Sequence, residues 1–282
     1  MNWNLRNRSL DFKRTRVMGI LNLTPDSFSD GGNSLDAGLA LERAREILAQ
    51  GADLLDLGGE STRPGALPVD AAEELRRILP VLKKIRTETG VPISIDTTKP
   101  EVARACLAEG ADIINDVSGL QASGNAMARL VREAGAGLVL MHRRGTPETM
   151  QSFASYGDVI EEVFRELAAA RDAALEQGIG PDKIVLDPGL GFAKTAEQNL
   201  EILRGLERFH EMGQPLLLGP SRKSFIGKVT GRQIHEREFG TAAVCALAVL
   251  KKVQILRVHE VGKMRDVINM MEAIEGAGHV RA

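Results

Sequence analysis

Aromatic side chains are scarce in this chain, at 4 % of 282 residues with one Trp and one Tyr. A core of that composition has to be assembled from Leu, Ile, Val and Ala, which suits helices packed on a parallel sheet. Cysteine is nearly absent. Cys106 and Cys245 sit in Ala-rich helical patterns and read as small buried thiols, so neither a disulfide framework nor secretion is implied. An excess of one charge is lacking too: 36 Lys and Arg face 38 Asp and Glu, a formal net charge of −2. That excludes a sequence-wide attraction to nucleic acid or to an anionic membrane, and any anion site has to be local. No apolar stretch reaches membrane length. The longest, Ala242 to Leu250, stops at Lys251-Lys252, and the first sixteen residues hold no signal-peptide core. A soluble, cytoplasmic protein is expected, in which Asn7-Arg8-Ser9 and Asn22-Leu23-Thr24 match the glycosylation sequon by chance. A Walker loop is missing, and Gly189-Leu190-Gly191 lacks the third glycine of a dinucleotide fingerprint.

What is present is a recurring unit of helix, short turn and strand. Gln50-Gly-Ala-Asp-Leu-Leu-Asp-Leu57 and Glu109-Gly-Ala-Asp-Ile-Ile-Asn-Asp116 both leave a helix through Gly and enter an apolar strand, with weaker copies at 133–140 and 177–186. Eight strand-like runs begin at Val17, Leu54, Ile93, Ile113, Leu138, Ile184, Leu216 and Ile255. Between them the helical period is clear: Ala40, Ala44, Ile47 and Leu48 share one face. Pro100-Glu101 and Asp158 are helix starts. Strands separated by helices of this size pair in parallel through crossovers, and eight such units in about 250 residues predict an α/β fold, a closed (β/α)8 TIM barrel. No linker or second domain is visible, so 1–282 reads as one domain with a core at about 15–275.

In such a barrel the active site lies at the C-terminal ends of the strands, where the polar residues of these runs fall. Asp96, Asn115 and Asp187 end three strands. Each alone reads as a loop or helix cap, but three facing one mouth offer acceptors and donors to a flat nitrogen heterocycle. Lys223 and Ser224 follow the seventh strand, where a lysine and a helix start favour ligand oxygens, a carboxylate among them. Arg257 and His259, two apart on the last strand, read as an anion site. Asn22 closes the first strand, and its amide oxygen suits Mg²⁺ that keeps its waters and shares phosphate oxygens. Two loops dense in Gly and small polar residues, 24–32 and 58–65, are either plain turns or, at a barrel mouth, flexible lids carrying Thr62 and Arg63.

The motifs Leu21-Asn-Leu-Thr-Pro-Asp-Ser-Phe-Ser-Asp-Gly-Gly32, Gly59-Glu-Ser-Thr-Arg-Pro-Gly-Ala66, Ile93-Ser-Ile-Asp-Thr97, Asn115-Asp-Val-Ser-Gly119, Asp187-Pro-Gly-Leu-Gly-Phe192, Ser221-Arg-Lys-Ser-Phe225 and Arg257-Val-His259 closely resemble those of dihydropteroate synthases, from about Val17 to His259. The resemblance implies a (β/α)8 enzyme of folate synthesis. Such enzymes join 6-hydroxymethyl-7,8-dihydropterin diphosphate to 4-aminobenzoate with SN1-like loss of diphosphate, and sulfonamides compete with the aminobenzoate. Carried over by motif, Asp96, Asn115, Asp187 and Lys223 would bind the pterin, and Asn22, Thr62, Arg63, Arg257 and His259 the diphosphate, with Mg²⁺ at Asn22. Thr62, Arg63, Pro64, Phe192 and Ser224 would line the aminobenzoate site. Asp96, Lys223, Arg257 and His259 are the catalytic candidates. Ala193 stands where many members carry glycine, and Arg143-Arg144 replace an often less charged pair. Two alternatives share the pterin residues: a pterin-binding methyltransferase and a non-catalytic pterin-binding paralogue. Members are commonly homodimers, for which the apolar segment Ala242 to Leu250 is either an interface or part of the barrel's own helix layer.

Overall fold

Runs of Val, Ile and Leu between amphipathic helices have to be covered on both faces, and the computed structural model, which describes residues 1–24, 37–63 and 65–276, shows how. The chain opens with a short antiparallel hairpin of β1 (Asn2–Asn4) and β2 (Ser9–Asp11). Eight parallel strands follow: β3 (Arg16–Asn22), β4 (Leu54–Gly58), β5 (Ile93–Asp96), β6 (Ile113–Asp116), β7 (Gly137–Met141), β8 (Ile184–Asp187), β9 (Leu217–Leu218) and β10 (Ile255–Val258). They form one sheet in the order β8-β7-β6-β5-β4-β3-β10-β9. A parallel bridge from Leu186 to Leu216 joins its two ends, giving the (β/α)8 barrel that the spacing predicts.

Around it run α1 (Ala37–Ala49), α2 (Ala71–Glu88), α3 (Pro100–Ala108), α4 (Asn125–Ala134), α5 (Val159–Glu176), α6 (Ala196–Arg204), α7 (Leu206–His210), α8 (Ser224–Thr230), α9 (Glu238–Leu250) and α10 (Val261–Ile274). Their starts follow the local chemistry. Pro100 opens α3, and the Asp158 carboxylate accepts from Ile160 N at 3.0 Å and Glu161 N at 3.1 Å. Ala40, Ala44 and Ile47 bury the inner face of α1 as the spacing predicts. Cys106 and Cys245 are free and buried, and burial pushes both thiols up to about 12. No helix among the described residues is long and apolar enough to cross a membrane.

The internal repeat has a physical cause. Gly51 and Gly110 both take φ +95°, which favours glycine, and the Asp two residues on receives the backbone of a neighbouring strand. Asp53 accepts from Val17 N at 2.8 Å and pairs with Arg265, while Asp112 accepts from Ile93 N at 2.9 Å and pairs with Arg86 at 2.9 Å.

Inside the barrel, one apolar layer collects Met18, Leu54, Ile113, Val139, Val185, Leu217 and Ile255 around Trp3 and Leu5. The hairpin therefore plugs the lower end. Trp3 is fully buried and its indole donates to Lys183 O at 2.8 Å. Gly137 makes room for it, since a Cβ there would lie 2.6 Å from Leu5 and 3.1 Å from the Trp3 ring. With the floor apolar and closed, charge inside the barrel is confined to the upper half.

Candidate active site

Side chains two residues apart on a strand point the same way, so the second position after each floor residue also faces inward. On β4, β6, β8 and β10 that position holds Asp56, Asn115, Asp187 and Arg257, and β5 adds Ser94 and Asp96. Arg257 binds both acids: Nε donates to Asp56 Oδ2 at 2.6 Å and Nη2 to Asp96 Oδ2 at 2.8 Å. The Asn115 amide donates to Asp56 Oδ2 at 3.3 Å. The anion expected opposite Arg257 is thus supplied by the chain's own carboxylates. Asp56 Oδ1, Asp96 Oδ1 and Ser94 Oγ are buried without a hydrogen-bond partner among the described residues, an arrangement a fold tolerates where a ligand completes it.

Burial tunes the charged groups toward neutrality. Desolvation raises Asp96 to about 7, opposed by Arg257 and reinforced by the Asp56 carboxylate. Desolvation also raises Asp187 to about 6 against the Gly189 N–H, which donates to it at 2.7 Å, and against Lys223. Lys223 falls to about 8 through desolvation and Arg257, with Asp187 and Asp96 pulling the other way. Its ammonium lies 4.1 Å from the centre of the buried Phe192 ring. Asp96, Asn115, Asp187 and Lys223 therefore share one end of the barrel with Arg257.

His259 stands beside them, its Nδ1 2.9 Å from Ser221 Oγ. Burial, followed by Arg257, Arg222, Arg63 and Lys223, pushes its imidazolium down to about 3, so a neutral ring sits within reach of four cations. Arg63 is exposed and Thr62 half-buried on the loop after β4. The base of that loop is tied down: Lys99 Nζ binds Glu60 and Glu74 at 2.6 Å each, and Arg77 donates to Gly59 O at 2.8 Å. Asn22 ends β3 half-buried at the same rim, and Ser224 is exposed at the first residue of α8. Among the described residues there is no group of three His, Cys, Asp or Glu able to cage a metal. Pro64 and residues 25–32 of the first Gly-rich loop lie outside the described residues.

Two sequence expectations are refined. His142 closes its strand run but binds Glu166 of α5 at 3.0 Å and Lys194 at 2.9 Å, not the mouth residues. Arg144 likewise pairs with Glu162 and Glu166 and covers Tyr156 at 4.0 Å, whereas Arg143 is buried, its guanidinium lowered by desolvation against Asp116, Asp96 and Glu60. Ala193 takes φ +48°, in the left-handed region that favours glycine. Sequence reasoning misses Asp56, whose only mark is an acid in the middle of an apolar strand, and Lys194, which carries no mark at all.

The chain matches a family model described as "Pterin binding enzyme" over residues 18–259. It is 47 % identical over 263 residues to a dihydropteroate synthase of Synechocystis, covering 93 % of this chain and 91 % of that one. Among solved structures, the Xanthomonas albilineans dihydropteroate synthase with 4-aminobenzoic acid is 41 % identical, with a TM-score of 0.91 and coverage of 97 % and 98 %. The Thermus thermophilus enzyme in complex with 6HMPPP is 42 % identical, with a TM-score of 0.84 and coverage of 97 % and 100 %. With the barrel, its single charged mouth and these full-length likenesses agreeing, the chain belongs to the dihydropteroate synthases of the pterin-binding enzyme family.

Proposed function

We propose that this chain condenses 6-hydroxymethyl-7,8-dihydropterin diphosphate with 4-aminobenzoate, releasing diphosphate, at the C-terminal mouth of its barrel. The observation that carries the reading is the Asp56–Arg257–Asp96 network, with Asn115, Asp187 and Lys223 on neighbouring strands and His259 at its edge. The unpartnered carboxylate oxygen of Asp96, with Asp187 and Asn115, suits the ring N–H and amino groups of a pterin. Lys223 suits a ring oxygen.

In the reaction the methylene C–O bond breaks, its electron pair leaves with the diphosphate, and the cation left behind delocalises into the ring. Arg257, His259 and Arg63 would stabilise charge growing on the leaving oxygens, while Asp96 balances the pterin cation. The aryl amine then forms the C–N bond and loses its proton to solvent. Phe192, Ser224, Thr62, Arg63 and Pro64 are assigned to the aminobenzoate, and sulfonamides would compete there. Mg²⁺ would be held at this rim through the Asn22 amide oxygen, a hard donor at the mouth beside Arg257 and His259, and when bound it would supply further neutralisation of the leaving group.

The test mixes the protein with both substrates and Mg²⁺ and follows diphosphate release. Release that requires the aryl amine supports the reading, and pterin binding without release favours a non-catalytic role. A second copy of the chain is the partner we propose: α9 turns Thr241, Cys245, Ala248 and Val249 inward, yet Phe239 at its start is 91 % exposed. Gel filtration near twice the 30.5 kDa chain mass is the expected result.

A further inference from the structure

Lys194 is 3 % exposed, two residues beyond Phe192, and hydrogen-bonds to none of the charged side chains of the mouth. Its ammonium lies 2.9 Å from His142 Nδ1, 3.1 Å from Gly189 O and 3.1 Å from Phe192 O. Three N–H groups meet three acceptors, none of which carries a formal charge. If Nδ1 accepts, the imidazole hydrogen sits on Nε2 and donates to Glu166 Oε2 at 3.0 Å. Burial, with Lys194 alongside, pushes the His142 imidazolium down to about 4, in keeping with a neutral ring. Burial likewise lowers Lys194 to about 7, against Asp187 and Glu166.

A buried ammonium is an expensive way to close a loop, so what the loop carries matters. It bears Phe192, whose ring lies 4.1 Å from the Lys223 ammonium, and it starts from Asp187. It lies flush on the end of β7: Gly189 has φ +72°, and a Cβ there would be 2.0 Å from His142 O. Asn199 Oδ1 accepts from Gly191 N at 2.6 Å and Tyr156 donates to Ala193 O at 2.9 Å, so Lys194 is the central strut of a braced segment.

We infer that Lys194 is a positioning residue for the condensation, holding the Gly189 and Phe192 carbonyls so that the Phe192 ring stays beneath Lys223 where the aryl amine is received. The inference rests on the reading of the site proposed above. Because a displacement of about 1 Å at a reacting centre can cost up to a hundredfold, the effect should be kinetic and not only structural.

The test is Lys194→Met, which keeps the length and removes the donors, assayed below its own melting temperature. The expected result is a KM for 4-aminobenzoate raised about tenfold, with the Kd for the pterin diphosphate changed less than about twofold, because Asp187 is anchored in β8. Wild-type KM should also rise above pH about 7, where the amine can no longer serve three acceptors. That rise should be absent in Lys194→Met, although His142, Glu166, Arg144, Asp187 and Lys223, which face the ammonium, remain. A folded variant with a lowered melting temperature but wild-type KM and pH profile overturns the inference. Should Lys194→Met not fold, Tyr156→Phe removes a second strut, and a KM raised two- to threefold supports the inference while a wild-type KM overturns it. If the wild-type protein releases no diphosphate, it is the proposed function that fails.

Discussion

Asp56→Ala is the most direct probe of the charge network. Asp56 is fully buried, and its Oδ2 receives both Arg257 Nε at 2.6 Å and the Asn115 amide at 3.3 Å. Removing one member of a buried ion pair costs about 3–5 kcal/mol, because the other charge is left behind. Here Asp96 still holds Arg257 Nη2 at 2.8 Å, so the lower end, about 3 kcal/mol, is expected. In a single domain of 282 residues each kcal/mol moves Tm by a little under about 2 °C, which gives a fall of about 5 °C by calorimetry. The substitution also frees the guanidinium, and loss of a preorganised anion donor slows turnover by on the order of a hundredfold, the effect expected of Arg257→Ala itself. A double-mutant cycle with Arg257→Met should return a coupling of about 2 kcal/mol or more. An Asp56→Ala protein that melts within about 2 °C of wild type and turns over normally would refute the reasoning.

Two further predictions concern the rim and the Phe192 loop. His259, held down at about 3 from an ordinary 6.5 by burial and four cations, should take up a proton when an anion binds beside it. Inorganic diphosphate binding at pH 6 should then show an enthalpy that varies with buffer ionisation heat, and a buffer-independent enthalpy would rule this out. The same depressed value means that the unfolded chain binds the extra proton first, so His259 lowers stability as pH falls from about 6.5 toward 3. For Ala193→Gly, relief of a left-handed alanine, about 1 kcal/mol, offsets loss of a buried methyl, about 0.8 kcal/mol, so Tm should move less than about 2 °C. In contrast, Ala44→Gly in α1 loses a buried methyl and helix propensity, about 2 kcal/mol, and should melt about 3–4 °C lower. Equal losses at the two positions would contradict the backbone argument.

The barrel is legible in the sequence because parallel strands covered on both faces read as unbroken apolar runs, and because the helices keep a 3.6-residue period. The candidate site residues at strand ends are legible for a related reason: Asp96, Asn115, Asp187 and Arg257 are polar where a core would be apolar. The floor is not. Three-residue strands are too short for alternation to register, and what makes Trp3 matter is a partner 180 positions away, Lys183 O. Asp56 is hidden in the same way, since its Arg257 partner is 201 positions on and an isolated acid in a strand gives no sign of being paired. Lys194 reads as an ordinary loop cation until the structure wraps it in carbonyls.

The two-residue step along each strand also explains why the proposed ring reader and anion clamp are not separate devices here. Leu54 and Asp56, Ile113 and Asn115, Val185 and Asp187, and Ile255 and Arg257 are floor and mouth positions of four strands, about 7 Å apart along the chain direction. Closing the floor with Trp3 leaves the mouth side chains a low-dielectric bed, which raises Asp96 to about 7 and lowers Lys223 to about 8. It also obliges Arg257 to be paired, and one of its two partners, Asp96, is the acid proposed to read the heterocycle. In the proposed reaction, drawing the guanidinium toward a leaving diphosphate would loosen its hold on Asp96 just as positive charge develops on the pterin, so the carboxylate would gain a new cation to balance as it loses the old one. One ion pair would be exchanged for two, and neither charge would be left buried without a counterpart at the moment the C–O bond breaks.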